Sequence, residues 1–509
     1  MIDIQISEKK FWDNNVEGYI FFLKEGIELV GKKEDFEKVE KDFYSNLKEI
    51  FKKHKFEGKI GQSFVLTATK DKSLIQLVFV GIGKLKNRWN IELENFRRAV
   101  GTSVKLLKKL KIENAVLSVP DEKSFGLIKP KLVRQIVITS LLAEYEFTKF
   151  KSDKKEDIKI QLLMDVGSDE SQPFAISLKE GQIIGNATNF ARYLSDMPAN
   201  YMTPTSLGNE AKKIADKNDL ECTVFGAEKA KELGMGGFLS VDAGSEEEGK
   251  FVVIEYKSLK KDAPTIALVG KGVTFDSGGL SLKPSACMEG MKFDMSGAAA
   301  VIATMSAIGQ IKPQVNVVGI TPLVENMPSG KSCKLNDIIT FMNGKTAEIK
   351  NTDAEGRLIL ADALCYAEKF YKPDVILDIA TLTGACLSAL GHFFTALLTK
   401  NEEIGTKLQA ISLVSGDRVW PLPLDDDFKK AVESNVADIS NIGLPEYKAG
   451  TITAAWFLSN FVEKTKWAHL DIAGTADSIP SISYLGKGAT GAGVRLFVDF
   501  ILNYNIDKR

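Results

Sequence analysis

The octapeptide Asn351-Thr352-Asp353-Ala354-Glu355-Gly356-Arg357-Leu358 sets two carboxylates two residues apart, with a guanidinium two residues further on. In an extended segment that alternation points Asp353, Glu355 and Arg357 to one side. Two carboxylates so close repel each other unless a cation lies between them. Gly356 lets the backbone come close to whatever is bound. On its own the octapeptide also reads as a surface turn carrying an Asp/Arg pair, a common and weak arrangement. A second stretch adds to it. Leu268 to Ala300 begins as a strand over Thr265–Val269. It then distributes Lys271, Asp276, Lys283 and Asp294 along a Gly-rich loop that opens a small-residue helix over Ala298–Ile308. These acids and the octapeptide's pair, with no histidine nearby, suggest divalent metal ions bridged by carboxylates.

The elements that must position these groups alternate. Strands are predicted at Glu221–Phe225, Phe251–Tyr256, Val315–Ile320 and Asp374–Ala380, with helices between many of them and an apolar helix over Leu358–Phe370. That alternation implies a mostly parallel sheet covered on both faces, with ligands at the carboxyl ends of its strands. Residues 1 to about 165 read as a smaller α/β domain. Its predicted strands are Gly18–Leu23, Ser63–Leu66, Leu74–Val80, Ala115–Val119 and Ile160–Met164; its helices are Glu92–Leu110 and Leu127–Glu144. A long helix over Leu178–Leu194 should join the two domains and stop at Asp196-Met197-Pro198, where the proline ring blocks continuation. The expected fold is therefore α/β with two domains, each a sheet flanked by helices: an N-terminal domain over 1–170, a linker helix over 171–196 and a C-terminal catalytic domain over 197–509.

Both stretches strongly resemble the leucyl aminopeptidase family, the two-metal cytosolic exopeptidases. The octapeptide matches that family's signature in full. The resemblance runs from about Arg192 to Leu502, is weak before about residue 170, and includes Asp196-Met197-Pro198-Ala199-Asn200, Ala380-Thr381-Leu382-Thr383-Gly384-Ala385 and Trp467-Ala468-His469-Leu470-Asp471-Ile472-Ala473-Gly474-Thr475. It implies two divalent metal ions per subunit, Mn2+ or Zn2+, with Co2+ and Mg2+ also compatible with oxygen-rich ligands. Asp276 and Glu355 would bridge them, Asp294 and Lys271 complete one site, and Asp353 the other. Lys271 must shed its proton to offer a lone pair, which costs on the order of 5 kcal/mol for a shift from about 10.4 to below 7. Nearby divalent ions oppose the ammonium and can supply that. Lys283 would stay charged and stabilise the developing oxyanion. Arg357, which does not deprotonate, would hold a bicarbonate that shuttles the proton. Met291, Thr381 and Ala473 resemble the pocket for an apolar first side chain; Leu382 offers a carbonyl beside it, and Asn351 joins the substrate-binding set. Ser296 departs from the family, where Gly or Cys is frequent, and Ala476 stands where relatives carry a larger side chain.

Composition excludes other classes. Across 509 residues the net charge is −1, with 44% hydrophobic and 26% charged residues, so no global field selects nucleic acid. The five cysteines, Cys222, Cys287, Cys333, Cys365 and Cys386, lack CxxC spacing and suit reduced thiols in the cytoplasm. Met1-Ile2-Asp3-Ile4 opens a strand and not a signal peptide, and no apolar run is long enough to span a membrane. Among the three histidines there is no HExxH, and no GxSxG elbow occurs, which sets aside single-zinc and serine hydrolase designs. His469 reads as a core residue. Gly270-Lys271-Gly272 lacks P-loop spacing, which disfavours a nucleotide site. The family implies peptide substrates and a homohexamer with its sites facing an interior cavity. Some relatives bind DNA; the charged run Lys149–Lys159 is the stretch that would serve, yet it has neither aromatic interleaving nor a recognition helix and reads as a solvated loop.

Overall fold

The computed structural model describes residues 2–85, 91–153, 158–167, 172–477 and 481–504. The chain divides into two units, Met1–Asn189 with Pro480–Lys487, and Phe190–Ile479 with Gly488–Arg509. The division falls inside one 25-residue helix, Gln172–Asp196.

In the first unit one sheet runs, in spatial order, Ile2–Ile6, Ile160–Asp165, Asn114–Ser118, Gly18–Lys24, Ser73–Gly83 and Ser63–Lys70. All neighbours are parallel except the last pair, which forms an antiparallel hairpin. The strand Gly18–Lys24 is buried almost throughout, as expected for parallel strands covered on both faces. The helix Ile91–Leu110 buries Phe96, Val100, Val104 and Leu107 at helical spacing and ends on lysines. Tyr484, from the returning segment, donates to the Glu94 carboxylate at 3.0 Å, and a Cβ at Gly101 would lie 2.7 Å from the tyrosine's own Cβ. Of the charged run Lys149–Lys159, residues 154–157 lie outside the described residues.

The second unit is built on a larger sheet ordered Val419–Pro421, Thr395–Leu398, Lys466–Asp471, Val375–Ala380, Thr265–Gly270, Asn316–Asn326, Lys250–Tyr256 and Glu221–Phe225. Its centre, from Lys466–Asp471 to Asn316–Asn326, is parallel; the two strands beyond Asn326 are antiparallel additions. Helices Ser296–Ile311 and Gly356–Tyr371 pack on it. The first is lined by Ala298, Ala299, Ala300 and Ala303, all buried, and its small side chains let the sheet come close. Helix Pro204–Lys217 begins as its sequence suggests: Thr203 caps it by accepting from the Ser206 N–H, with Pro204 in the first turn.

Two local expectations are corrected. The octapeptide is not extended. Residues 351–355 form a turn, Glu355 already has helical angles, and Arg357 lies in the first turn of the helix Gly356–Tyr371. Asp276 is not in a loop either: Lys271 is the one-residue link between two strands, Thr265–Gly270 and Gly272–Asp276, and Asp276 ends the second.

Candidate functional site

Lys271 leaves the carboxyl end of a central strand, Asp276 ends the short strand beyond it, and Asp294 sits in the 3-10 turn Met291–Met295 that leads into the alanine-rich helix. Asp353 and Glu355 arrive from the turn before the next helix. Asp276, Asp353 and Glu355 each present a carboxylate oxygen within 4.8 Å of the others. Lys271, Asp276, Asp294 and Glu355 are each at most 5% exposed.

The acids are closed by two ammonium groups. Lys271 Nζ lies 2.8 Å from Asp294 Oδ1 and 2.8 Å from Glu355 Oε1, and donates to the Thr381 carbonyl at 2.9 Å. Lys283 Nζ lies 2.9 Å from Asp276 Oδ2 and also pairs with Asp353. Burial drives the carboxyls of Asp294 and Glu355 above the usual carboxylate range, and each feels other acids of the cluster. Burial likewise raises Asp353. For Lys271 burial works toward the neutral amine, but Asp294, Glu355 and Asp276 outweigh it and hold the ammonium above its ordinary value. The same balance raises Lys283, with Asp276 the leading charge.

Close approach is built into the backbone. A Cβ at position 356 would stand 2.5 Å from Lys271 Cε, so only glycine lets this lysine pass. Gly278 takes φ +88, a conformation glycine adopts without cost, and a Cβ there would lie 2.9 Å from Asp353 Oδ1. Thr352 staples the two loops: its hydroxyl donates to the Gly278 carbonyl at 2.7 Å and accepts from the Ser281 N–H at 2.7 Å.

Arg357 is buried beside this cluster. One Nη donates to the Asn441 carbonyl at 2.7 Å, while its Nε has no hydrogen-bond partner. Burial lowers its pKa to about 10, against the pull of Glu355 and Asp471. Asn351, Asp353, Arg357 and Leu382 line a cavity of about 340 Å3, together with Thr383 and the start of the helix Gly450–Ser459. Thr381, Met291 and Ala473 do not line it. Thr381 donates to Asp294 Oδ1 at 2.8 Å, Met291 opens the turn that carries Asp294, and Ala473 donates its N–H to Asp471 at 3.1 Å.

Sequence reasoning passed over three supports. Asn326 donates to Asp276 Oδ1 at 2.9 Å and to the Thr352 carbonyl at 3.0 Å. Asn441 donates to the Asn351 carbonyl at 2.6 Å and accepts from the Lys350 N–H. Asp471 accepts from Leu382, Thr383 and Ala473. Strand register held the only signal for the first, since Asn326 pairs with Asp276. His469 is a core residue, its Nδ1 2.5 Å from Asp378 Oδ1.

The residues present fit divalent cations. Asp294 Oδ2 is buried with no hydrogen-bond partner, and a dry site rich in carboxylates is stable only with positive charge among them. Set at the carboxyl ends of parallel strands in an α/β unit, this arrangement lies where such sheets bind their ligands. Residues 189–498 match the catalytic domain of the cytosol aminopeptidase family, and residues 20–154 match its N-terminal domain. A probable cytosol aminopeptidase of Alkaliphilus oremlandii is 40% identical, over 88% of this chain and 89% of that one. The cytosol aminopeptidase of Pseudomonas aeruginosa is 41% identical, over 89% and 90%. Among solved structures, a tomato leucine aminopeptidase mutant superposes with a TM-score of 0.87 at 30% identity, covering 99% of this chain and 97% of its own. The bottromycin maturation enzyme BotP in complex with Mn superposes at 0.82 and 30% identity, covering 96% and 99%. The chain belongs to the cytosol aminopeptidase family. It is a peptidase that removes amino acids from the N-terminus of peptides. None of its described helices is long and apolar enough to cross a membrane.

Proposed function

We propose that the chain is a two-metal aminopeptidase preferring leucine and other apolar first residues, acting in intracellular peptide turnover. The observation that carries this is the convergence of Asp276, Asp353 and Glu355 within 4.8 Å, with an unpartnered buried oxygen of Asp294 beside them. Asp276 and Glu355 would bridge the ions, Asp294 and Lys271 would complete one site, and Asp353 the other; Lys271, an ammonium among Asp294 and Glu355 without the ions, would give up its proton to the ions' charge. Mn2+ is favoured by the Mn complex of the structural neighbour; Zn2+, Co2+ and Mg2+ suit the same donors. Bound ions would supply Lewis acidity, lowering the pKa of a water and polarising the scissile carbonyl.

The chain's own groups do the rest. Lys283 is the more accessible of the two lysines, so its ammonium can turn to the oxygen on which charge develops. Arg357 has donors to spare beyond the one held by Asn441, so it would hold a planar bicarbonate, which would supply a proton-transfer group there. Met291, Thr381, Leu382, Ala473 and Asn351 would receive the first residue. Cytoplasmic residence and a homohexamer with interior-facing sites belong to the same reading. Binding to DNA is the less favoured alternative, tested by salt-sensitive gel retardation.

The deciding experiment measures release of first residues from a panel of amino-acid p-nitroanilides by chelator-stripped protein. Activity should return with Mn2+ or Zn2+ and be greatest for leucine. Full activity after stripping would overturn the metal reading, and an alanine optimum would overturn the preference.

A further inference from the structure

Asp471 ends the central strand Lys466–Asp471 and is fully buried. Its Oδ1 accepts from the main-chain N–H of Leu382 at 3.1 Å, Thr383 at 3.4 Å and Ala473 at 3.1 Å. Its Oδ2 accepts from the Thr383 hydroxyl at 2.6 Å. A carboxylate withdrawn from water survives where several donors point at it. Here the donors come from two loops, one following Val375–Ala380 and one following Lys466–Asp471 itself. The link continues, because the Thr383 hydroxyl, its own hydrogen given to Asp471, accepts from the Thr451 hydroxyl at 2.7 Å. Thr451 belongs to the helix Gly450–Ser459, whose start lines the cavity that Leu382, Thr383 and Arg357 also line. One side chain thus ties together the two loops and, through Thr383, the helix whose start lines the cavity.

We infer that Asp471 is the positioning residue for recognition of the substrate's first side chain: it fixes the backbone of Leu382 and Ala473, and through Thr383 it sets the adjoining helix. The inference rests on the proposed placing of the first residue against Leu382 and Ala473. Asp471 touches no reacting atom in this account. It acts by denying the two loops the freedom to shift, and a displacement of about 1 Å at such a site costs on the order of a hundredfold in rate.

The test is the profile of kcat/KM over first residues of different size, with bound metal measured alongside. Asp471→Ala removes every acceptor. It should lower kcat/KM for the best substrate tenfold or more, chiefly through KM, and flatten the profile at unchanged metal content. Asp471→Asn keeps an oxygen for the main-chain donors, and its amide can donate to the Thr383 hydroxyl, which then donates to Thr451; it should restore the profile. A folded Asp471→Ala protein with the wild-type profile overturns the inference, as does an Asn variant as damaged as the Ala variant. Should Asp471→Ala fail to fold, Thr383→Val, which removes only the hydroxyl link, should shift the profile and Thr383→Ser restore it; no shift overturns the inference. A wild-type optimum other than leucine would sink the proposed preference, yet a profile altered by these variants would still support the role of Asp471.

Discussion

Lys271 and Glu355 stand 2.8 Å apart, one at the end of a central strand and the other at the cap of a helix 84 residues later in the chain. The pair is almost wholly out of water, so removing one partner leaves an uncompensated charge. Breaking a buried pair typically costs about 3–5 kcal/mol. Glu355→Ala should therefore lower the stability of metal-stripped protein by about 3 kcal/mol, toward the low end because Asp294 still faces the lysine. Denaturant unfolding reads this, and elemental analysis should show less metal retained by the variant.

Lys283 is expected to act on rate more than on binding. Removing one oxyanion donor typically costs about a hundred- to a thousandfold. Lys283→Met should fall within that range in kcat, with KM little changed. A loss confined to KM would assign this lysine to substrate binding.

Arg357 leads to a prediction about bicarbonate. Adding it to carefully degassed enzyme should raise activity, and Arg357→Ala should abolish the response while losing roughly a hundredfold in rate, the usual scale for a lost proton-transfer partner. A variant that still responds to bicarbonate would place that anion elsewhere.

Stability should fall from pH 5 to pH 8. Asp362 is fully buried, accepts from the N–H groups of Phe238 and Met342, and burial pushes its carboxyl up to about 7. Its folded value lies above the unfolded one, so the stabilisation is complete below about 4 and lost as pH climbs to about 7. The whole shift corresponds to roughly 4 kcal/mol at 1.36 kcal/mol per unit, of which about 3 kcal/mol is lost between pH 5 and pH 7. His469 has the same sign: burial works against its charge, but Asp378 prevails and raises it, so its contribution also fades as pH rises from about 6.5. Denaturant unfolding at both pH values should show the decline, and Asp362→Asn should narrow it.

Much of the fold was legible because the signals were local. Val, Ile and Phe runs marked strands of the first sheet and five of the larger one, though not Thr395–Leu398, Val419–Pro421 or Lys466–Asp471, and the spacing of Phe96, Val100, Val104 and Leu107 marked a helix. The chemistry was legible because Asp353, Glu355 and Arg357 lie together in the chain. Their geometry was not, since two-residue spacing suits an extended strand as well as a turn running into a helix, and only the packing of Gly356 on Lys271 decides between them. Asn326, Asn441 and Asp471 escaped notice because each acts across 50 to 91 residues of sequence, through partners that only strand register brings near.

The segment that brings Tyr484 and Ser483 onto the helix Ile91–Leu110 has a practical consequence for dissecting the protein. An N-terminal fragment ending at Asn189 would carry a bare slot at Gly101, with the Glu94 carboxylate stripped of its phenol and the Arg98 carbonyl of its serine. Such a piece should be sticky and poorly expressed unless Pro480–Lys487 is grafted back or supplied in trans. A cut at Asn189 therefore leaves the first unit without Pro480–Lys487.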